Sequence, residues 1–144
     1  MQGTFKKEHT FEKRNELFAT MKKRYPNRIP IIVEVIQNST MKLSRKKFLT
    51  PDDISVGAFL TEIRKHSSLR PDEAMFLFCE NNVLVPAGNT MGQIYEKYKD
   101  EDGFLYIAVA LENTFGSIFI NNLLDNILIT SSNVFNSLSI LQLK

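Results

Sequence analysis

The sequence predicts an α+β fold: a mixed sheet crossed by one amphipathic helix, with two helical pieces ahead of it. Three observations carry that expectation. Phe104 to Leu111 is a continuous apolar run of strand formers, read as a strand buried on both faces. Arg28 to Ile36 is a second dense run, rich in β-branched residues. Between them Val56, Phe59, Leu60 and Ile63 recur at i, i+3, i+4 and i+7, one apolar face of a helix.

In chain order, Thr4 to Glu8 is long enough for a short extra turn. Residues 10–25 read as a helix with Thr10 as its N-cap. Phe11, Phe18, Met21 and Tyr25 line one stripe that Leu17 widens, and Tyr25-Pro26-Asn27 ends it. The strand from Arg28 to Ile36 contains Pro30, which must lie near its start or toward an unpaired side. Gln37 to Thr40 reads as loop. Lys46 to Thr50 is a short strand entered through the basic run Arg45-Lys46-Lys47. Ser55 then caps the central helix, with Ile54 and Phe59 placed as a hydrophobic staple and Arg64, Lys65 and His66 in its last turn. Pro71-Asp72 turns the chain into a strand at Met75 to Cys79, and Glu80-Asn81-Asn82 leads to another at Val83 to Val85. Thr90 and Gln93 form a capping box that opens a helix through Tyr98. Asp100-Glu101-Asp102 is expected to be a solvated turn, closed by Gly103 before the last strand.

Two helical pieces followed by β-β-α-β-β-α-β match the β-grasp, or ubiquitin-like, arrangement. There the first and last strands lie side by side in the centre and run parallel. The two most continuously apolar strands of this chain occupy those positions, as burial on both faces requires. The domain reading is residues 1–26 as a helical extension packed on the sheet, 27–116 as the β-grasp core, and 117–144 as a separate tail.

A length of 144 residues with 43% hydrophobic and 24% charged content describes one soluble globular domain. The net charge of +2 gives no basis for bulk nucleic-acid binding. The basic residues of the first thirty positions suit an acidic partner or an anionic membrane surface, or simply a solvated helix face. One cysteine, Cys79, excludes an intramolecular disulfide and fits a reducing compartment. The opening residues form no secretory apolar region, and no run reaches the length of a membrane span, so a cytosolic protein is expected. His9 and His66 sit on different segments, which disfavours a metal site. No phosphate loop, cofactor motif or catalytic constellation emerges, and Cys79 in an apolar strand reads as core; the chain is not expected to be an enzyme.

After Leu111 the chain turns polar through Glu112-Asn113-Thr114 and ends the segment on Phe115-Gly116. A polar arm tipped by glycine is able to present a backbone carbonyl inside a narrow channel, because glycine has no Cβ. Together with Thr10-Phe11-Glu12-Lys13-Arg14, Asn27-Arg28-Ile29-Pro30-Ile31-Ile32-Val33-Glu34, Val56-Gly57-Ala58-Phe59, Ile63-Arg64-Lys65 and Asp102-Gly103-Phe104-Leu105-Tyr106, this end resembles the autophagy ubiquitin-like modifiers. That family includes the GABA-receptor-associated protein and the microtubule-associated protein light-chain-three group. The resemblance covers residues 1–116; residues 117–144 have no counterpart in it.

The resemblance implies a cycle. A cysteine protease cuts after Gly116, before Ser117. Activating and conjugating enzymes of the ubiquitin-like kind pass the freed carboxylate on as a thioester, and Gly116 is joined to phosphatidylethanolamine. The protein is then cytoplasmic, and on the autophagosome membrane once conjugated. It also implies an edge that binds cargo receptors and adaptors through an aromatic-x-x-aliphatic motif. Carried over by position, the aromatic pocket is Met21, Pro30, Ile32, Lys47, Leu49 and Phe104. The aliphatic pocket is Phe48, Thr50, Pro51, Ile54 and Phe59, and Arg28 meets acidic residues beside the motif. A short lysine-bearing strand suits such an edge, and its alternation sends Lys47 and Leu49 to one face, Phe48 and Thr50 to the other. Leu17 departs from the family's usual acidic residue, Glu62 from its usual apolar one, and the loop after Ile36 is one residue shorter than in the GABA-receptor-associated protein. The alternative is an unconjugated β-grasp adaptor that keeps its tail.

The tail is apolar and nearly uncharged, with only Asp125 and Lys144 ionised. Ile120, Leu123, Leu124, Ile127 and Leu128 have helical spacing, but Asn121, Asn122, Asp125 and Asn126 interrupt a membrane span. Twenty-eight residues, counted from Ser117 to Lys144, are too few for an independent core. Left attached, so much apolar surface favours self-association, and cleavage removes it.

Overall fold

A computed structural model describes residues 3–36 and 39–111. These fall within one compact unit, Met1–Glu112. Its elements are α1 (Thr4–Glu8), α2 (Phe11–Arg24), β1 (Arg28–Val35), β2 (Lys47–Pro51), α3 (Val56–Lys65), β3 (Met75–Cys79), a 3-10 turn (Glu80–Asn82), β4 (Val83–Leu84), α4 (Met91–Tyr98) and β5 (Leu105–Leu111). The five strands lie in the order β2-β1-β5-β3-β4. Parallel pairing of β1 with β5 occupies the centre, and antiparallel pairs flank it. This is the ubiquitin-like arrangement.

Local chemistry sets the helix starts. Thr10, Ser55 and Thr90 each accept a backbone N–H in the first turn of α2, α3 and α4, and Gln93 completes a capping box. Pro30 is tolerated because of the ladder pattern. Odd-numbered residues of β1 bond to β2, as Val33 N–H does to the Lys46 carbonyl at 2.7 Å. Even-numbered ones bond to β5, as Ile36 N–H does to Val109. The β5 pairing begins at Ile31, so the N–H that Pro30 lacks would have had no strand partner.

The sheet carries two apolar layers. The larger one lies under α3 and α4 and gathers Ile31, Val33, Phe48, Val56, Phe59, Ile63, Leu77, Met91, Ile94 and Leu105. On the opposite face Phe5, Ile32 and Phe104 form a smaller cluster, against which Leu17, Phe18, Met21 and Tyr106 pack. The second layer explains a departure from expectation. Tyr106 and Ala108 of β5 are only half-buried, because two short helices do not span the whole outer face. Val85 also falls outside β4, which stops at Leu84.

Candidate functional site

β2 is an edge strand, and its exposed side follows from the same ladder. Ile31 and Ile29 pair with Phe48 and Thr50, whose backbone groups therefore point at β1. Lys47 and Leu49 turn their N–H and C=O groups outward. The Lys47 carbonyl is covered: Arg45 Nε donates to it at 2.9 Å, while the guanidinium lies 5.3 Å from the centre of the Phe48 ring.

Residues opposite one another across antiparallel strands share a face. Pro30 faces Leu49, and Ile32 faces Lys47. That face looks toward α2, where Met21, Ile32 and Phe104 meet in the smaller cluster. The six residues expected to form an aromatic pocket thus lie on one side of the sheet. Ile32, Pro30 and Phe104 are buried, Met21 and Leu49 are half-buried, and Lys47 is exposed. Three residues that the pattern of β1 and β2 does not reveal also border it: Phe5, Leu17 and Phe18. The Phe5 ring stands edge-on to Phe104 at 5.6 Å, and the Lys47 ammonium lies 5.6 Å above it. An apolar Phe5 inside a basic N-terminal turn was the signal for the first, and the helical stripe of α2 for the other two. Arg28, at the start of β1, is exposed, and its carbonyl accepts from Lys22 Nζ.

The five residues expected to form an aliphatic pocket are placed differently. Phe48 and Phe59 pack edge-to-face at 5.6 Å and are 4% and 1% exposed, inside the main core. Thr50 is buried and donates its hydroxyl to the Pro51 carbonyl, and Ile54 is half-buried against the same core. Pro51 pairs with Arg28, so the register turns it to the face of Lys47 and Leu49 rather than that of Phe48. The Phe48 ring is bordered outside by His66, 5.7 Å away, whose Nε2 is 3.6 Å from the Glu62 carboxylate. The hydrogen bond from Lys65, followed by its charge, holds the Glu62 carboxyl below its ordinary value.

A buried carboxylate fastens α2 to the turn before β5. Asp102 accepts from Arg14 Nε at 2.8 Å, Tyr106 O–H at 2.5 Å and Phe104 N–H at 2.9 Å, and its side chain is 0% exposed. The expected solvated turn is therefore corrected: Arg14 reaches in from α2 and only Glu101 stays in solvent. Burial first, then the bond to Asp102, raises the Tyr106 hydroxyl far above its ordinary pKa. Neighbouring Asp100 holds Lys6 of α1 at 2.5 Å, and Glu34 accepts the Phe5 N–H at 2.7 Å. Gly103 has φ +93°, and a Cβ there would come within 2.6 Å of the Phe18 ring.

A cleft of about 350 Å³ opens beside α1, bordered by Lys7, Asn82, Tyr98, Ala108 and Cys79. Burial pushes the Cys79 thiol up to about 12, so it is a poor nucleophile at neutral pH. Among the described residues no group of three or more His, Cys, Asp or Glu is placed to hold a metal, and no helix is long and apolar enough to cross a membrane. Gly116, the arm before it and residues 117–144 lie outside the described residues.

Comparison with known proteins matches residues 13–116 to the family described as "Autophagy protein Atg8 ubiquitin like". Autophagy-related protein 8d of Arabidopsis thaliana is 46% identical over 118 residues, which cover 81% of this chain and 98% of that protein. Autophagy-related protein 8 of Penicillium rubens is 44% identical over 119 residues, 82% of this chain and all of that protein. The crystal structure of Trypanosoma brucei ATG8 superimposes with a TM-score of 0.73 at 42% identity, covering 78% of this chain and 97% of that one. Plasmodium falciparum Atg8 in complex with a Plasmodium falciparum Atg3 peptide does so with 0.67 at 32% identity, covering 76% and 96%.

Proposed function

The chain belongs to the Atg8 family of ubiquitin-like autophagy proteins, and from that premise we propose that it is a modifier processed after Gly116 and conjugated there to phosphatidylethanolamine. In this reading residues 1–26 and 27–116 form the working module, and 117–144 are removed by a processing cysteine protease. Activating and conjugating enzymes then carry the Gly116 carboxylate to the lipid. The family match ends at Gly116, which supports placing the junction there. A conjugating-enzyme partner is favoured by the relative bound to an Atg3 peptide. The protein moves between cytoplasm and autophagosome membrane and is a substrate of enzymes rather than one itself; a buried, protonated Cys79 agrees with that.

On the membrane it recruits receptors and adaptors through β2. The observation that carries this part is the outward-facing backbone of Lys47 and Leu49 beside the apolar face of Met21, Ile32 and Phe104. A peptide adding as a strand satisfies those backbone groups and places its aromatic residue on that face. Lys47 and Arg28 meet its acidic flanks. An affinity of about micromolar, near −8 kcal/mol, is expected for such a short motif.

Mass spectrometry of the protein recovered from its own cells tests the cycle. The expected species ends at Gly116 and carries the lipid, and Gly116→Ala abolishes both cleavage and attachment while the fold is retained. An intact tail on the mature protein would instead establish the unconjugated adaptor.

A further inference from the structure

We infer that Ser44 is a phosphorylation site for a serine kinase that reads basic sequence, and that a phosphate there turns the margin of β2 from attracting to repelling acidic segments. The second half rests on the docking reading above; the first does not.

Ser44 lies in the stretch that leads into β2, and it is exposed, as are Lys42, Arg45, Lys46 and Lys47 around it. No carboxylate occurs in the sequence between Glu34 and Asp52. A kinase cleft lined with carboxylates is complementary to such a run. The stretch belongs to no helix or strand, and Leu43 makes a single bridge to Ser67. Little ladder therefore has to open before the chain extends into a cleft.

A second basic motif, Arg64-Lys65-His66-Ser67, reads as well in sequence, but the fold locks it. The Arg64 guanidinium donates to the carbonyls of Glu73, Arg70 and Pro71. The hydroxyl of the half-buried Ser67 donates to the Arg64 carbonyl at 2.8 Å. The Ser44 hydroxyl is dispensable by comparison. It donates to the His66 carbonyl at 3.1 Å, and the Ser44 N–H donates to the same oxygen at 2.8 Å. Losing the hydroxyl proton leaves that carbonyl paired, so the fold tolerates the change.

In the reaction Ser44 Oγ attacks the γ-phosphorus of a nucleoside triphosphate, its proton passes to the kinase's base, and the nucleoside diphosphate leaves. The product adds a charge of about −1.5 to −2 beside Lys42, Arg45, Lys46 and Lys47. Its oxygens are strong acceptors next to Arg45, whose Nε otherwise donates to the Lys47 carbonyl. Those cations are then paired within the chain, and an acidic guest loses their attraction.

The test incubates the full chain with the catalytic subunit of a basic-directed serine kinase and ATP, then maps the product by mass spectrometry. One phosphate is expected on Ser44 and on Ser44→Thr at that position, and none in Ser44→Ala. Phosphate on Ser67 or elsewhere in place of Ser44, or none at all, overturns the site. Calorimetry of the phosphorylated protein with an acidic-flanked aromatic-x-x-aliphatic peptide should show about fivefold weaker binding at low salt and a smaller loss at high salt. The same peptide with uncharged flanks should bind as before. Unchanged affinity for the acidic peptide, or an equal loss for both, overturns the switch. If the unmodified protein binds neither peptide, the docking reading falls and the switch with it, while the mass spectrum still decides the site.

Discussion

Replacing Asp102 by Asn changes one buried atom and should cost the protein about 3 kcal/mol. The carboxylate receives three donors, from Arg14, Tyr106 and the Phe104 N–H. An amide of the same shape has one acceptor oxygen and one NH2. If the oxygen keeps the Phe104 N–H, the NH2 meets the Arg14 Nε–H and pairs only with a Tyr106 hydroxyl turned to accept; if it flips, the backbone N–H is left unpaired. In both orientations the Arg14 guanidinium, whose side chain is 11% exposed, loses its counter-charge. Stripping one partner from a buried ion pair costs about 3–5 kcal/mol. Arg14 retains its bond to the His9 carbonyl at 2.9 Å, which places the loss at the low end. For a domain of this size that lowers Tm by about 10 °C. Urea unfolding followed by circular dichroism should show a reduced midpoint with an unchanged slope. Adding Arg14→Met to the Asp102→Asn protein should restore part of the loss, since the uncompensated charge is then gone. A loss below about 1 kcal/mol, the scale of a surface pair, would mean that water reaches the carboxylate and would refute the reasoning.

Gly103→Ala should destabilise by about 1–3 kcal/mol, because φ is +93° and the new methyl meets the Phe18 ring; calorimetric unfolding measures it, and a neutral result would show that Phe18 swings aside freely. Burial is the largest influence on Asp100 and opposes its ionisation, but the bond from Lys6, the Asp102 N–H and the Lys6 charge together outweigh it and hold the carboxyl below 3.8. Its stabilisation is therefore complete above that unfolded value and fades as pH falls through the lower folded one; α1 should lose hydrogen-exchange protection in acid before the sheet does, and Lys6→Met should remove that pH dependence. Lys47→Glu should weaken an acidic-flanked peptide about tenfold at low salt and less at high salt, from two exposed-charge terms of up to 1 kcal/mol each; calorimetry showing no change would displace the site from this edge.

The main layer was legible because its signals are local or periodic. Caps at Thr10, Ser55 and Thr90, the α3 stripe and the two apolar strands all operate within a few residues, and together they specify the sheet order. The apolar face beside β2 was legible as far as strand alternation reaches, which sets Lys47 with Leu49 and Pro30 with Ile32; its grouping as a pocket came from the resemblance alone. Phe5, Leu17 and Phe18 join it through packing of helices on the outer face, where spacing along the chain carries no information about the partner. Asp102 is the sharper case. Nothing in Asp100-Glu101-Asp102 marks one carboxylate for burial; that depends on Arg14, 88 positions earlier. Pro51 was legible too, since alternation along β2 sets it with Lys47 and Leu49, against the grouping with Phe48 that the resemblance implied.

The Arg45 guanidinium on the outward carbonyl of Lys47 makes the margin of the sheet a place of exchange rather than of simple addition. A newcomer shares or displaces that guanidinium as it gains the carbonyl, and one that displaces it must offer Arg45 something in return. A segment rich in carboxylates does so at once. A second copy of the same edge brings Arg45, Lys46 and Lys47 against Arg45, Lys46 and Lys47, and offers only repulsion. Crowded side by side, copies of this chain are thereby kept from zipping into one another along β2, and the same contact leaves each margin free for a guest of opposite charge.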